Sequence, residues 1–145
     1  MLKINKISSY TYAGIGSRET PPDILSKMTS IAVYLSAKGY LLRSGGAVGA
    51  DTAFEQGAQP AQIFRPEHAT EEALKLAKKY HPAWGRCNQY ARKLHARNGM
   101  ILLGSRLNSP VDFVVCWTPD GKASGGTGQA LRIAKALDIQ IINLF

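Results

Sequence analysis

Apolar positions along this chain follow two rhythms, short unbroken runs and stretches that repeat every three or four residues, and the two alternate from end to end. Residues 10–15 are short, β-branched and aromatic and close on glycine, which predicts a first strand. Ile24, Met28, Ile31, Ala32 and Leu35 then fall at helical spacing behind Pro21 and Pro22, with Thr20 as the expected cap and Gly39 as the stop. Residues 40–43 predict a second strand, 50–57 a short helix and 61–64 a third strand. Thr70 opens a helix with Ala73, Leu74 and Ala77 on one face, and His81-Pro82 stops it. Residues 88–103 fit a further helix, although Gly99 costs it about 1 kcal/mol relative to alanine. The run 100–103 also suits an extra strand. Residues 105–110 read as a loop, 112–117 and 139–144 as the fourth and fifth strands, and 127–137 as the helix between them.

Strand–helix alternation of this kind predicts an α/β fold with a mostly parallel sheet of about five strands and helices on both faces. The last two runs barely alternate, as expected of strands buried on both sides. In such sheets ligands bind outside the carboxyl ends of the strands.

Three glycine-rich stretches occupy those ends. They are Ala13-Gly14-Ile15-Gly16-Ser17-Arg18, then Ser44-Gly45-Gly46-Ala47-Val48-Gly49-Ala50-Asp51, then Ser124-Gly125-Gly126-Thr127-Gly128-Gln129. A glycine loop between strand and helix lets backbone N–H groups face an anion. The three loops together predict one phosphate or nucleotide crevice at one sheet edge.

Composition narrows the partner. The chain has 145 residues, 45% of them apolar, and a formal net charge of +8. That length suits one domain, residues 1–145, able to bury a core without disulfides. The charge favours an anionic partner such as a nucleotide or nucleic acid. No run approaches a membrane span and no apolar h-region follows the basic N-terminus, so we expect a cytoplasmic protein with no membrane partner. Cys87 and Cys116 lack C-x-x-C spacing and paired histidines, so no metal site is expected. His68, His81 and His95 form no ligand or triad pattern.

Each candidate residue also has a plainer role open to it. Gly125, Gly126 and Gly128 form the expected phosphate cradle, with Thr127 and Gln129 adding side-chain hydrogen bonds; the alternative is a tight turn. Arg18, beside Ser17, suits bidentate phosphate contact or is a solvated surface arginine. Asp51 is the candidate carboxylate, for a ribose hydroxyl or as a general base, or else complements a helix N-terminus. Lys78, Lys79, Arg86, Arg92, Lys93 and Arg97 make the middle of the chain basic. On a helix Lys93 and Arg97 share a face that would track a phosphate backbone, or is simply solvated. Arg97-Asn98 interrupts the apolar spacing and suits a pocket contact. Trp117-Thr118-Pro119-Asp120 follows the fourth strand, where Trp117 would stack on a base or belong to the core. Trp84 and Tyr90 are further stacking candidates.

In order and spacing, the three loops resemble the SLOG superfamily, which joins DprA/Smf proteins to the LOG (lonely guy) proteins. The resemblance runs from residue 10 to 144 and is nearest to small phage-type, stand-alone DprA-like domains. It implies a Rossmann-like fold with a nucleotide or nucleic-acid phosphate site to which Gly14, Gly16, Ser44, Gly45, Gly46 and Ser124 also contribute. DprA proteins bind single-stranded DNA, help load recombinase and self-associate, which implies a homo-oligomer. LOG proteins are phosphoribohydrolases that cleave the N-glycosidic bond of a nucleoside monophosphate. Their pattern is Pro-Gly-Gly-x-Gly-Thr-x-x-Glu. Here Ser124 replaces the proline, Gln129 the threonine and Arg132 the functional glutamate. A cation in place of that carboxylate argues for holding a nucleotide or single strand rather than cleaving one. No cofactor is implied beyond a possible bound nucleotide, and no separate winged-helix domain fits in this length.

Overall fold

Successive residues of a strand face opposite ways, and here both directions lead into apolar cores. Tyr12 and Val115 pack with Met28, Leu42 and Phe54, whereas their neighbours Ala13 and Val114 pack with Met100, Ile101 and Ile133. That is why the strand segments read as unbroken apolar runs. A computed structural model describes residues 10–145, and the basic N-terminus, residues 1–9, lies outside them.

The strands are β1 (Thr11–Gly14), β2 (Leu41–Ser44), β3 (Ala61–Ile63), β4 (Phe113–Cys116) and β5 (Gln140–Asn143). They form one parallel sheet in the order β3-β2-β1-β4-β5. Five helices connect them: α1 (Pro22–Ala37), α2 (Ala50–Gly57), α3 (Glu71–Tyr80), α4 (Gln89–Leu103) and α5 (Gly125–Ala136). The buried residues of α1 and α2 join one core and those of α3, α4 and α5 the other, so helices cover both faces. This is the Rossmann-like α/β arrangement. The chain steps outward from β1 to β3, then returns across α3 and α4 to pair β4 with the other side of β1.

Local chemistry sets most boundaries. Thr70 Oγ1 accepts from the Ala73 amide at 3.1 Å and Asn88 Oδ1 from the Ala91 amide at 2.8 Å, capping α3 and α4. Each such cap stabilises its helix by about 1 kcal/mol.

Four expectations change. Thr20 does not cap α1; its hydroxyl donates to the Ser17 carbonyl at 2.5 Å and closes the turn after β1. Residues 100–103 are the end of α4, not a strand, because α4 buries Ala96 and Met100 to Leu103 against the sheet. Gly99 serves the contact of α4 with α3, since a Cβ there would meet Leu76 Cδ2 at 3.0 Å. β5 is an edge strand with Ile142 40% exposed, so it is not buried on both faces. Finally, α5 begins at Gly125, two residues ahead of the expected start, which puts Gly125 and Gly126 inside its first turn.

Candidate phosphate-binding cleft

Because β1 pairs with β2 on one side and β4 on the other, the loops leaving β1 and β4 diverge and leave a crevice at the sheet's carboxyl edge. A cleft of about 550 Å³ lies there. The loop after β1 supplies Ile15, Gly16, Ser17, Arg18 and Glu19, the loop after β2 supplies Ala47 and Val48, and the first turn of α2 supplies Asp51. The loop after β4 and the start of α5 add Pro119, Ser124, Gly125, Gly126 and Thr127. The fourth wall is α4, through Ala91, Leu94, His95, Arg97 and Asn98.

The first turn of α5 is the corner best suited to an anion. Ser124 sits at the N-cap position but makes no capping bond, because its hydroxyl donates to Asp120 Oδ1 at 3.0 Å. The helical ladder starts only with the Gly128 amide bonding the Ser124 carbonyl at 2.9 Å. The amides of Gly125, Gly126 and Thr127 therefore precede any intrahelical acceptor. A Cβ on Gly125 or Gly126 would meet nothing within 4 Å, so these glycines leave open space above a positive helix end. Asn98 Nδ2 lies 3.5 Å from the Gly126 carbonyl and ties α4 to this turn. Arg18 is exposed and lines the cleft from the loop after β1.

Asp51 and Arg97 form the cleft's polar floor. Asp51 is 7% exposed, and its Oδ2 accepts from the Ala47 amide at 3.3 Å. Burial pushes its carboxyl up to about 6, although the Ala47 amide and the Arg97 charge pull the other way. Arg97 is 8% exposed and donates from Nη1 to the carbonyls of Gly45 (2.9 Å) and Phe64 (3.2 Å), and from Nε to Asn98 Oδ1 (3.0 Å). A cation with those acceptors offsets part of the cost of burying a carboxylate beside it.

Several expected site residues are turned to other work. Ser44 is fully buried and donates to the Gly14 carbonyl at 2.6 Å, locking β2 to β1 rather than meeting a ribose. Gly14 is a packing position, because a Cβ there would lie 2.6 Å from Phe54 Cγ. At Gly45 a Cβ would lie 2.6 Å from Arg97 Nη1 and 2.8 Å from Asp51 Oδ2. Gly46, at φ 71°, would strike the Arg65 guanidinium. Thr118 is buried, and its Oγ1 accepts from Asn143 Nδ2 at 2.8 Å. Gly128 packs on the Ala123 backbone. Gln129 faces inward, donating to the Ala77 carbonyl at 3.0 Å and accepting from Arg132 Nη2 at 2.7 Å. None of these seven lines the cleft.

Lys93 is exposed while Arg97 is buried, so they do not share a basic track. Trp117 is core, with Phe145 at 6.4 Å, and is not open for stacking, whereas Trp84 is partly buried outside the cleft with the Arg92 guanidinium over its ring at 5.0 Å. Tyr90 is 63% exposed.

No sequence signal marks His95, which lines the cleft, or the company it keeps. His81, Cys87 and His95 place side-chain donors within 4.8 Å of one another, although His-x5-Cys-x7-His matches no familiar metal spacing. His81 and Cys87 are hydrogen-bonded to each other and to the backbone at Ala83, and His95 stands outside those bonds. The Ala83 amide donates to His81 Nδ1 at 2.9 Å, which fixes the ring proton on Nε2, 3.7 Å from Cys87 Sγ, and the thiol points to the Ala83 carbonyl at 3.7 Å. A metal would need the Nε2 lone pair that this tautomer occupies with a proton. Burial, together with the His81, Arg132 and Arg97 charges, drives His95 down to about 4, so its ring is neutral at pH 7. Its Nδ1 is buried without a partner.

No family model matches the chain, and no curated protein is significantly similar to it. Among solved structures, DNA processing protein A from Helicobacter pylori is similar in fold, with a TM-score of 0.63 over 96% of this chain and 67% of that one at 15% identity. That protein binds single-stranded DNA. Among the described residues no helix is long and apolar enough to cross a membrane.

Proposed function

We propose that the cleft holds the phosphate of a nucleotide unit and that its ligand is single-stranded nucleic acid, in the manner of a DprA-like, SLOG-type domain. The uncapped N-terminus of α5, with two open glycines in the same cleft that Arg18 lines, is the observation that carries this. Phosphate oxygens would accept from the amides of Gly125, Gly126 and Thr127, with Ser17, Arg18 and Asn98 as side-chain partners. The net charge of +8 and the fold shared with a single-stranded-DNA-binding protein favour a polymer over a mononucleotide. No cofactor is needed for binding of this kind. The DprA-like resemblance of the three loops brings self-association into the proposal, with Val33 and Tyr34 on α1 as exposed apolar surface for it; sedimentation tests that part.

Fluorescence anisotropy with a labelled oligothymidylate, repeated across a salt series, tests the main claim. Affinity should fall with salt at a slope near −0.7 per phosphate engaged, roughly as single strands do. Arg18→Gln should weaken binding without moving the melting temperature, since Arg18 is exposed. Undetectable or salt-insensitive binding removes the claim.

Asp51 favours a second reading. A cleft carboxyl titrating near 6 is poised to exchange a proton at neutral pH, as a hydrolase acting on a nucleotide's N-glycosidic bond requires. Arg132, which stands where LOG proteins carry glutamate, bonds Gln129 and does not line the cleft, so Asp51 would have to act alone. A nucleotide panel that releases no base counts against hydrolysis and leaves binding untouched.

A further inference from the structure

On the other side of α4 from the cleft runs a second groove, about 440 Å³, between α3 and α4. Four cations, Lys75, Lys78, Arg92 and Lys93, line it against one acid, Glu71, a net charge of +3 (4 − 1). Lys75 and Lys78 lie one turn apart on α3, and Arg92 and Lys93 face them from α4. Glu71 stands one turn before Lys75 and Lys78 complements the C-terminal end of α3, but one acid does not balance the four cations that line the groove. Arg92 is held in place by Trp84, through the ring and through an Nη2 bond to its carbonyl at 3.1 Å, yet its buried Nε has no partner. The lysines are exposed.

The first turns of α4 separate this groove from the cleft: Ala91, Leu94 and His95 line one, and Gln89, Arg92 and Lys93 line the other. The separation is therefore one helix width, about 10 Å. We propose that the α3–α4 groove is a second docking point for the backbone of the strand held in the cleft, which crosses the N-terminal turns of α4 to reach it. This rests on the single-strand reading of the cleft. Phosphates would meet Lys75, Lys78 and Lys93 as point charges, without sequence preference.

The test uses a dithymidylate, too short to span the helix, and an oligothymidylate of about 16 nucleotides, the upper end of the range for a compact single-strand site. The double variant Lys75→Gln, Lys93→Gln is compared with Lys27→Gln, Lys38→Gln, which removes equal charge at exposed positions on and just past α1. The groove variant should bind the long oligonucleotide about tenfold more weakly, with a salt slope shallower by about 0.7 for each phosphate it no longer engages. Its affinity for the short one should stay within about twofold, and the control should match wild type for both. Equal losses in groove and control variants, equal losses for both lengths, or no loss for the long one would each overturn the second docking point while leaving the cleft intact. Wild-type protein that binds neither length removes the cleft reading, and the groove proposal with it.

Discussion

After β2 the chain runs Ser44-Gly45-Gly46, and after β4 it runs Ser124-Gly125-Gly126. In the first loop the space that the glycines leave is filled from within: the Arg97 guanidinium, the Asp51 carboxylate and Arg65 stand where side chains would be. In the second that space is open to the cleft. The serines divide the same way. Ser44 is spent on the Gly14 carbonyl inside the sheet, whereas Ser124 lines the cleft and bonds only its own loop through Asp120. One motif thus builds the floor of the site and the other presents it. Glycine permits a close approach, and what approaches depends on the long side chains nearby.

The sharpest way to break this contrast is to remove what fills the first loop. Arg97→Met should cost about 1–3 kcal/mol for each of the two carbonyls it leaves without a donor, and it removes a nearby cation that favours the ionised form of buried Asp51; chemical denaturation measures it. A near-neutral result would mean that Arg97 serves the ligand rather than the fold.

Asp51→Asn comes next and is read through pH. Burial raises the carboxyl to about 6 in the folded protein, so the fold holds a proton that the unfolded chain gives up near pH 4. The stability this contributes is complete below pH 4 and lost as pH rises through 6, by about 3 kcal/mol at most. Denaturation midpoints measured from pH 4 to 7 should therefore flatten in Asp51→Asn. An unchanged slope would show that Asp51 titrates as an ordinary carboxylate.

Smaller effects separate the two loops directly. Gly45→Ala should cost about 1–3 kcal/mol, as overpacking does, with the fraction still folded binding oligonucleotide normally. Gly125, at φ 64°, should lose about 1–2 kcal/mol on replacement by alanine for backbone reasons alone. Gly126→Ala should leave stability unchanged or raise it by up to about 1 kcal/mol, yet weaken binding several-fold in the anisotropy assay by crowding the anion. If Gly126→Ala binds like wild type, the second loop is a turn and not a cradle.

The order of strands and helices was legible because its signals are local. Periodicity marked most of the α-helices, and Thr70 and Asn88 stand at two starts as expected. The place of the cleft was legible too, since a parallel sheet sends its loops to one edge. Individual residues were harder to assign. Ser17, Arg18, Asp51, Arg97, Asn98 and the first turn of α5 do line the cleft. Ser44, Thr118 and Gln129 looked equally available and are not. Each is a polar group on or beside a glycine motif, and nothing adjacent in sequence reveals whether a buried acceptor elsewhere claims it.

The chain's pattern alone determined the α/β architecture, the edge where the loops gather and the basic character of the chain, because hydrophobic period, turn chemistry and charge are properties of neighbouring residues. Tertiary structure decided which polar groups remain for a ligand. Gln129 meets the Ala77 carbonyl and Arg97 the Gly45 carbonyl, each across 52 residues, and Ser44 meets the Gly14 carbonyl across 30. A buried hydrogen-bonding group must find a partner, and when that partner comes from a distant segment, only the folded chain brings it within reach.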